Sequence, residues 1–156
     1  MSSSSDPYDS PTIMLNQVQS GLVVSGIVTP TPMIAKSIVS GDVLSSFRQS
    51  GTGGYQLITL RLARNQTEPL TGGRYTMVTD IVKAEFYVKY NFGPVYNTSG
   101  ALTTLETMVR DFKTTILSGT WSSGSPPIPV LIGETRPQAQ EKLARASLDY
   151  RFKYLM

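Results

Sequence analysis

The sequence predicts an α+β fold: a mostly antiparallel sheet packed against one strong amphipathic helix and a weaker N-terminal one, with a flexible N-terminal arm and long polar loops. Three observations carry this. In residues 82–90, Val82, Ala84, Phe86, Val88 and Tyr90 alternate with Lys83, Glu85, Tyr87 and Lys89, the period of two that marks a half-buried antiparallel strand. In residues 101–118, Leu102, Leu105, Val109, Phe112 and Ile116 step by three and four, one apolar stripe on a helix. At the end of the chain Leu148, Tyr150, Phe152 and Tyr154 alternate with Asp149, Arg151 and Lys153, a second half-buried strand.

Residues 1–11 (MSSSSDPYDSP) are polar, hydroxyl-rich and broken by proline, so they read as a flexible arm with little to add to a core. Residues 12–156 then form a single domain. Ser10 followed by Pro11 suits a helix start, a capping hydroxyl with proline in the first turn. Leu15, Val18 and Leu22 continue at helical spacing and Gly26 closes the segment. Gly21 and the β-branched Ile13, Val23 and Val24 weaken this helix. Residues 27–54 resist assignment: Thr29-Pro-Thr-Pro32 is a breaker and Gly51-Thr-Gly-Gly54 a turn or loop tip.

Residues 56–64 (QLITLRLAR) alternate, with Ile58, Leu60 and Leu62 on one face and Leu57, Thr59 and Arg61 on the other. Residues 74–90 exceed the usual strand length of about five or six residues, which predicts a bend or break at Thr79-Asp80. For the long helix, Thr103 and Glu106 have capping-box spacing, Ser99 is an equally good cap, and Gly119 follows the last turn. Residues 120–127 form a Ser/Gly/Pro loop. Pro129 makes the apolar run 128–132 an edge strand or extended segment, and residues 137–146 a short polar helix or a loop.

Composition narrows the function. The 156 residues include no Cys and no His, which removes thiol nucleophiles, disulfides, imidazole acid–base chemistry and the commonest metal ligands. Charged residues are 16%, below the usual share of about 25%; 18 Ser and 17 Thr supply the polarity instead. The net charge of +3 is uneven: residues 1–47 carry −2 and residues 48–156 carry +5. No basic cluster exceeds the pair Arg61 and Arg64, so a dedicated polyanion reader is not expected.

Gly51-Thr-Gly-Gly54 and Gly72-Gly73 lack the Lys-Ser/Thr ending of a phosphate loop and read as turns. The nearest acid pairs, Asp80/Glu85 and Glu106/Asp111, share neither a strand face nor adjacent helix turns. Glu85 is better placed to contact Lys83 or Lys89. No Ser-x-x-Lys occurs to activate a serine. The expectation is a protein that is not an enzyme and needs no cofactor or metal. The start Met1-Ser-Ser-Ser-Ser-Asp lacks a signal peptide's basic and apolar parts, and no apolar run approaches the roughly 20 residues that span a bilayer. Synthesis in a host cytoplasm and no membrane partner are expected.

The strand TDIVKAEFYVKY (79–90), the helix ALTTLETMVRDFKTTILS (101–118) and the closing RASLDYRFKYLM (145–156) lie in the order weak helix, strand, long strand or hairpin, strong helix, proline-rich loop, final strand. In that order, and over about half the chain, the sequence resembles the tail terminator proteins of long-tailed bacteriophages. The resemblance implies an α/β body that assembles as a hexameric ring on the tail tube, stops its polymerisation and docks to the head connector or stopper in the virion neck. DNA then passes non-specifically through the ring. The sequence departs from the family pattern in residues 27–54 and in the arm, which leaves open another neck, connector, tail-tube or baseplate protein. A different class is a small monomeric binding module that uses a sheet edge. The residues expected at subunit contacts are Arg74, Lys83, Glu85, Tyr87, Lys89, Trp121, Arg151 and Lys153, with the loops 65–74 and 120–136. Tyr87 is expected to be exposed among charged neighbours. Trp121 is either a core plug or an anchor for a neighbour.

Overall fold

The computed structural model describes residues 9–25, 33–35, 56–70, 72–89, 98–118, 129–140 and 143–155. Helix α1 spans Ser10–Ser25, β1 Met33–Ala35, β2 Gln56–Pro69, β3 Thr76–Lys89, α2 Thr98–Ser118, β4 Val130–Gln140 and β5 Leu143–Leu155. The five strands form one sheet in the order β1-β2-β3-β5-β4. All neighbours are antiparallel except the short parallel pair β1–β2. The two described helices, α1 and α2, pack on one face, giving the α+β architecture that the alternating strands and the striped helix require.

The core lies between those layers. Met14 and Val18 come from α1, and Leu105, Met108, Phe112 and Ile116 from α2. Ile58, Leu60, Val82, Phe86, Leu148 and Phe152 come from the sheet. Phe112 sits edge-on to Phe86, with ring centroids 5.0 Å apart, and 5.8 Å from Tyr150. It therefore joins helix to sheet, and Phe112→Ala would cost roughly 3–5 kcal/mol. Helix α2 begins at Thr98, before either anticipated cap. Within it Thr104, Thr107, Thr114 and Thr115 donate their hydroxyls to the carbonyl four residues back, which makes a threonine-rich sequence compatible with a helix.

The start of α1 falls one residue earlier than expected. Asp9, at φ 48°, accepts the backbone N–H groups of Thr12 and Ile13 on its carbonyl, and its side chain accepts the Thr12 hydroxyl at 2.8 Å. Asp is among the few residues that tolerate this left-handed conformation. Ser10 and Pro11 are buried in the first turn rather than belonging to an exposed arm. Residues 1–8 and Gly26 lie outside the described residues.

The strands correct several expectations. β3 is unbroken through Thr79 and Asp80; the irregularity sits in β2, where the register slips between Leu62 and Arg64. The bulge at Ala63 changes which residues face the helices: Ile58, Leu60 and Leu62 before it, and Asn65 after it. Residues 65–69 continue β2 instead of forming a loop. The turn itself is short, with the Leu70 N–H bonded to the Tyr75 carbonyl at 2.9 Å and the Gly73 N–H to the Leu70 carbonyl at 3.0 Å. Gly72 and Gly73, at φ 96° and 68°, supply the left-handed backbone that other residues resist.

The run 130–132 is an edge strand, as Pro129 predicts, but it extends to Gln140. Residues 130–136 are therefore strand rather than loop. Residues 137–140 and 143–146 are also strand, where a polar helix or loop was expected. Pro137 is accommodated because it falls in a register shift between Thr135 and Gln138, where no ladder hydrogen bond is lost. Gly119, residues 120–128 and all of 36–55 lie outside the described residues.

Candidate assembly surface

The face of the sheet turned away from α1 and α2, and its two edges, hold the features on which function can rest. Arg61, Arg64, Lys83, Lys89, Arg145, Arg151 and Lys153 share the face turned away from α1 and α2 with Glu68, Glu85 and Asp149. It is therefore a mixed but net basic surface. Glu85 is its organising residue. Its side chain is only 15% exposed and lies 3.2 Å from Arg61 and 3.7 Å from Arg145. It also accepts the Tyr87 hydroxyl at 2.9 Å. The partners come from the strands on either side, so the expected contact with Lys83 or Lys89 on the same strand is replaced by cross-strand pairs.

Tyr87 is not the exposed aromatic that the alternation suggested: it is 6% exposed. Burial, followed by the hydrogen bond to Glu85 and the Glu85 charge, pushes its hydroxyl up from 10.0 to about 12. Cross-strand Leu57 and nearby Thr59 are buried on the same face. Further along, Asp149 pairs with Lys83 across the ladder, and Asp149 Oδ1 and Arg151 Nε are buried without hydrogen-bond partners. Gly133 of β4 is opposite; a Cβ there would approach Asp149 Oδ2 to 3.3 Å.

The structure thus unites Glu85 and Tyr87 and separates the rest. Arg74 is exposed in the β2–β3 turn, Lys83, Lys89 and Arg151 are half-buried, and Lys153 is exposed on β5. Trp121 lies outside the described residues. Arg61 and Arg145 were missed as partners of Glu85, because strand register is not readable from either strand alone.

On the helix side a second acid, Asp80, is fully buried. It accepts the Ser10 hydroxyl at 3.0 Å, the Tyr154 hydroxyl at 2.9 Å and the Asn65 amide. Three elements, α1, β2 and β5, meet at this carboxyl. A cleft of about 230 Å³ between α2 and β4 is lined by Glu106, Val109, Arg110, Lys113, Glu134 and Pro137. It is crossed by a Lys113–Glu134 bridge of 2.8 Å. Among the exposed apolar side chains, Val130 is 51%, Leu131 37% and Ile132 47% exposed on the edge strand β4, and Leu117 of α2 is 77% exposed. No helix among the described residues is long and apolar enough to cross a membrane.

No protein-family model and no curated protein sequence matches the chain. Among solved structures, a chain from the virion of a native gene transfer agent particle shares the fold, with a TM-score of 0.56, 8% sequence identity and 92% of each chain covered.

Proposed function

We propose that this protein is a structural component of a tailed-phage-like virion, a tail terminator that forms a homo-oligomeric ring, a hexamer, at the head–tail junction. The observation that carries the reading is the fold shared with a gene transfer agent virion chain across 92% of both chains. A match over nearly the whole of both chains concerns the complete architecture and not one common motif. The net basic, ion-paired sheet face and the apolar sheet edge support an assembly role, since interfaces combine an apolar centre with ordered polar contacts. In this reading the ring caps the tail tube and docks to the connector or stopper, DNA passes without sequence reading, and no residue is catalytic and no cofactor is needed.

Light scattering on the purified protein, with negative-stain images of the same sample, tests the proposal. Rings of about six copies are the expected result. A monomer that stays monomeric in the presence of tail tubes sinks it. The edge position of β4, which has no outer strand among the described residues, favours a second reading, a monomeric module that takes a peptide by strand addition; saturable binding of a peptide to that monomer would identify it. A tail-tube, baseplate or other neck protein would also assemble, and differs in where labelled protein sits on the particle.

A further inference from the structure

We infer that the β2–β3 turn of one copy, carrying Arg74 and Tyr75, seats in the cleft between α2 and β4 of the next. This rests on the ring reading and names the contact within it.

The size and charge of the cleft describe its occupant. Its volume of about 230 Å³ is below the roughly 300 Å³ at which ligand pockets begin, and suits one or two side chains. Val109, Pro137 and Ala146 give it apolar walls, while Glu106, Arg110, Lys113 and Glu134 give it charge. Three of those charges are already engaged. Lys113 holds Glu134 at 2.8 Å, and Arg110 lies 3.5 Å from the buried Asp111. Glu106 stands one turn before Arg110 on α2, yet makes no ion pair among the described residues. The unanswered charge is therefore negative and lies beside apolar walls. An arginine meets both demands, its stem packing on the walls and its planar head giving the carboxylate two N–H groups.

The β2–β3 turn offers such a residue. Residues 66–70 and 72–75 are all exposed. Tyr75 is 58% exposed, and Arg74 makes no ion pair among the described residues. Tyr and Arg are two of the side chains that dominate interface energies. Gly72 and Gly73 shape the turn through positive φ, and the Leu70 N–H donates to the Tyr75 carbonyl at 2.9 Å. The turn is therefore formed before it docks, which lowers the cost of association. The other described cations are less well placed. Arg61 and Arg145 are committed to Glu85, and Lys83, Lys89 and Arg151 are half-buried. Arg64, Arg136 and Lys153 lie within strands and not at a turn.

A chain cannot fill its own cleft. Along β5 the cleft lies at Ala146 and, through Glu134, at Leu148. The turn lies past the Met77–Leu155 rung. Seven to nine residues of strand separate them, roughly 23–30 Å. The contact therefore joins two copies through unlike surfaces, the head-to-tail kind that closes into a ring.

A charge swap tests the contact, with association of the full chain read by light scattering. Arg74→Glu and Glu106→Arg each replace an exposed side chain, so their circular dichroism should match the parent. Each should weaken association at least about tenfold, and the chain carrying both should recover. Weakening without recovery in the double variant overturns the inference. Because the chain has no Cys, a second measurement uses Leu70→Cys beside the turn and Arg110→Cys on the cleft. These are treated with a flexible bis-maleimide, alone and mixed, and a cross-linked pair is expected only in the mixture. Self-linking of Leu70→Cys alone overturns the inference in favour of a turn-to-turn contact. Rings that form without cross-links overturn the contact and leave the ring reading intact. Cross-linked chains that run on into filaments uphold the contact and overturn the closed ring. A parent chain that stays monomeric with tail tubes present overturns both.

Discussion

Two acids, five residues apart on β3, are held in opposite ways. Asp80 faces the helices with no exposure and is satisfied by two hydroxyls and an amide. Glu85 faces away from them and is satisfied by two half-exposed arginines and a tyrosine. Neutral donors let a carboxyl be buried without bringing a second charge out of water, at the cost of demanding every donor in place. Ion pairs with exposed partners tolerate loss because solvent replaces what is removed. The inner cluster thus fixes where α1 sits on the sheet, and the outer one adjusts the surface.

The sharpest break comes at Asp80. Asp80→Ala removes the shared acceptor of Ser10, Asn65 and Tyr154 and should cost roughly 3 kcal/mol, read as a lower urea midpoint. Tyr154→Phe removes one of the three donors and keeps the ring, so about 1–1.5 kcal/mol is expected in the same measurement. At Glu85 the effect is smaller: Glu85→Gln should cost about 1 kcal/mol or less. The parent's advantage over it should shrink between low and high salt, as screening weakens exposed pairs. Asp80→Ala should show no such salt dependence. If both variants respond equally to salt, the contrast between the clusters is wrong.

Alkaline pH separates them further. The folded Tyr87 hydroxyl titrates near 12 against 10.0 for the ordinary group. The unfolded chain therefore releases its proton first, and binds fewer protons than the folded one between these values. Stability is full below pH 10, falls as pH rises through the window to about 12, and changes little beyond it. Burial raises Tyr150 as well, so the parent slope has two contributors. Tyr87→Phe should remove one of them and flatten the fall in melting temperature from pH 9 upward.

Much of the fold was legible because burial follows sequence period. The alternation in β3 and β5 and the stripe in α2 named most of the core residues, including Phe86, Phe112, Leu148 and Phe152. Asp80 was hidden for a physical reason. A polar residue at an inward position looks like a break in the strand until its donors are known, and those come from positions 10, 65 and 154. The bulge at Ala63 hid the reach of β2 in the same way, since Arg64 and Asn65 fall out of step with Leu60 and Leu62. Pro137 concealed the length of β4 by advertising a break that a register shift absorbs. Of the candidate site, Glu85 and Tyr87 were legible as neighbours two residues apart. Their arginines were not, because cross-strand pairing depends on turns and bulges far from either residue.

The bulge at Ala63 works like a frame marker in a message read two letters at a time. Upstream of it, even-numbered residues of β2 belong to the interior; downstream, odd-numbered ones do. Without the bulge, with Ala63 taking an ordinary place in the ladder, every position after it would be reassigned. Arg64 would move into step with Leu62 and face the helices, while Asn65 would leave Asp80 and turn outward. One alanine thus decides which half of the strand's alphabet is inside.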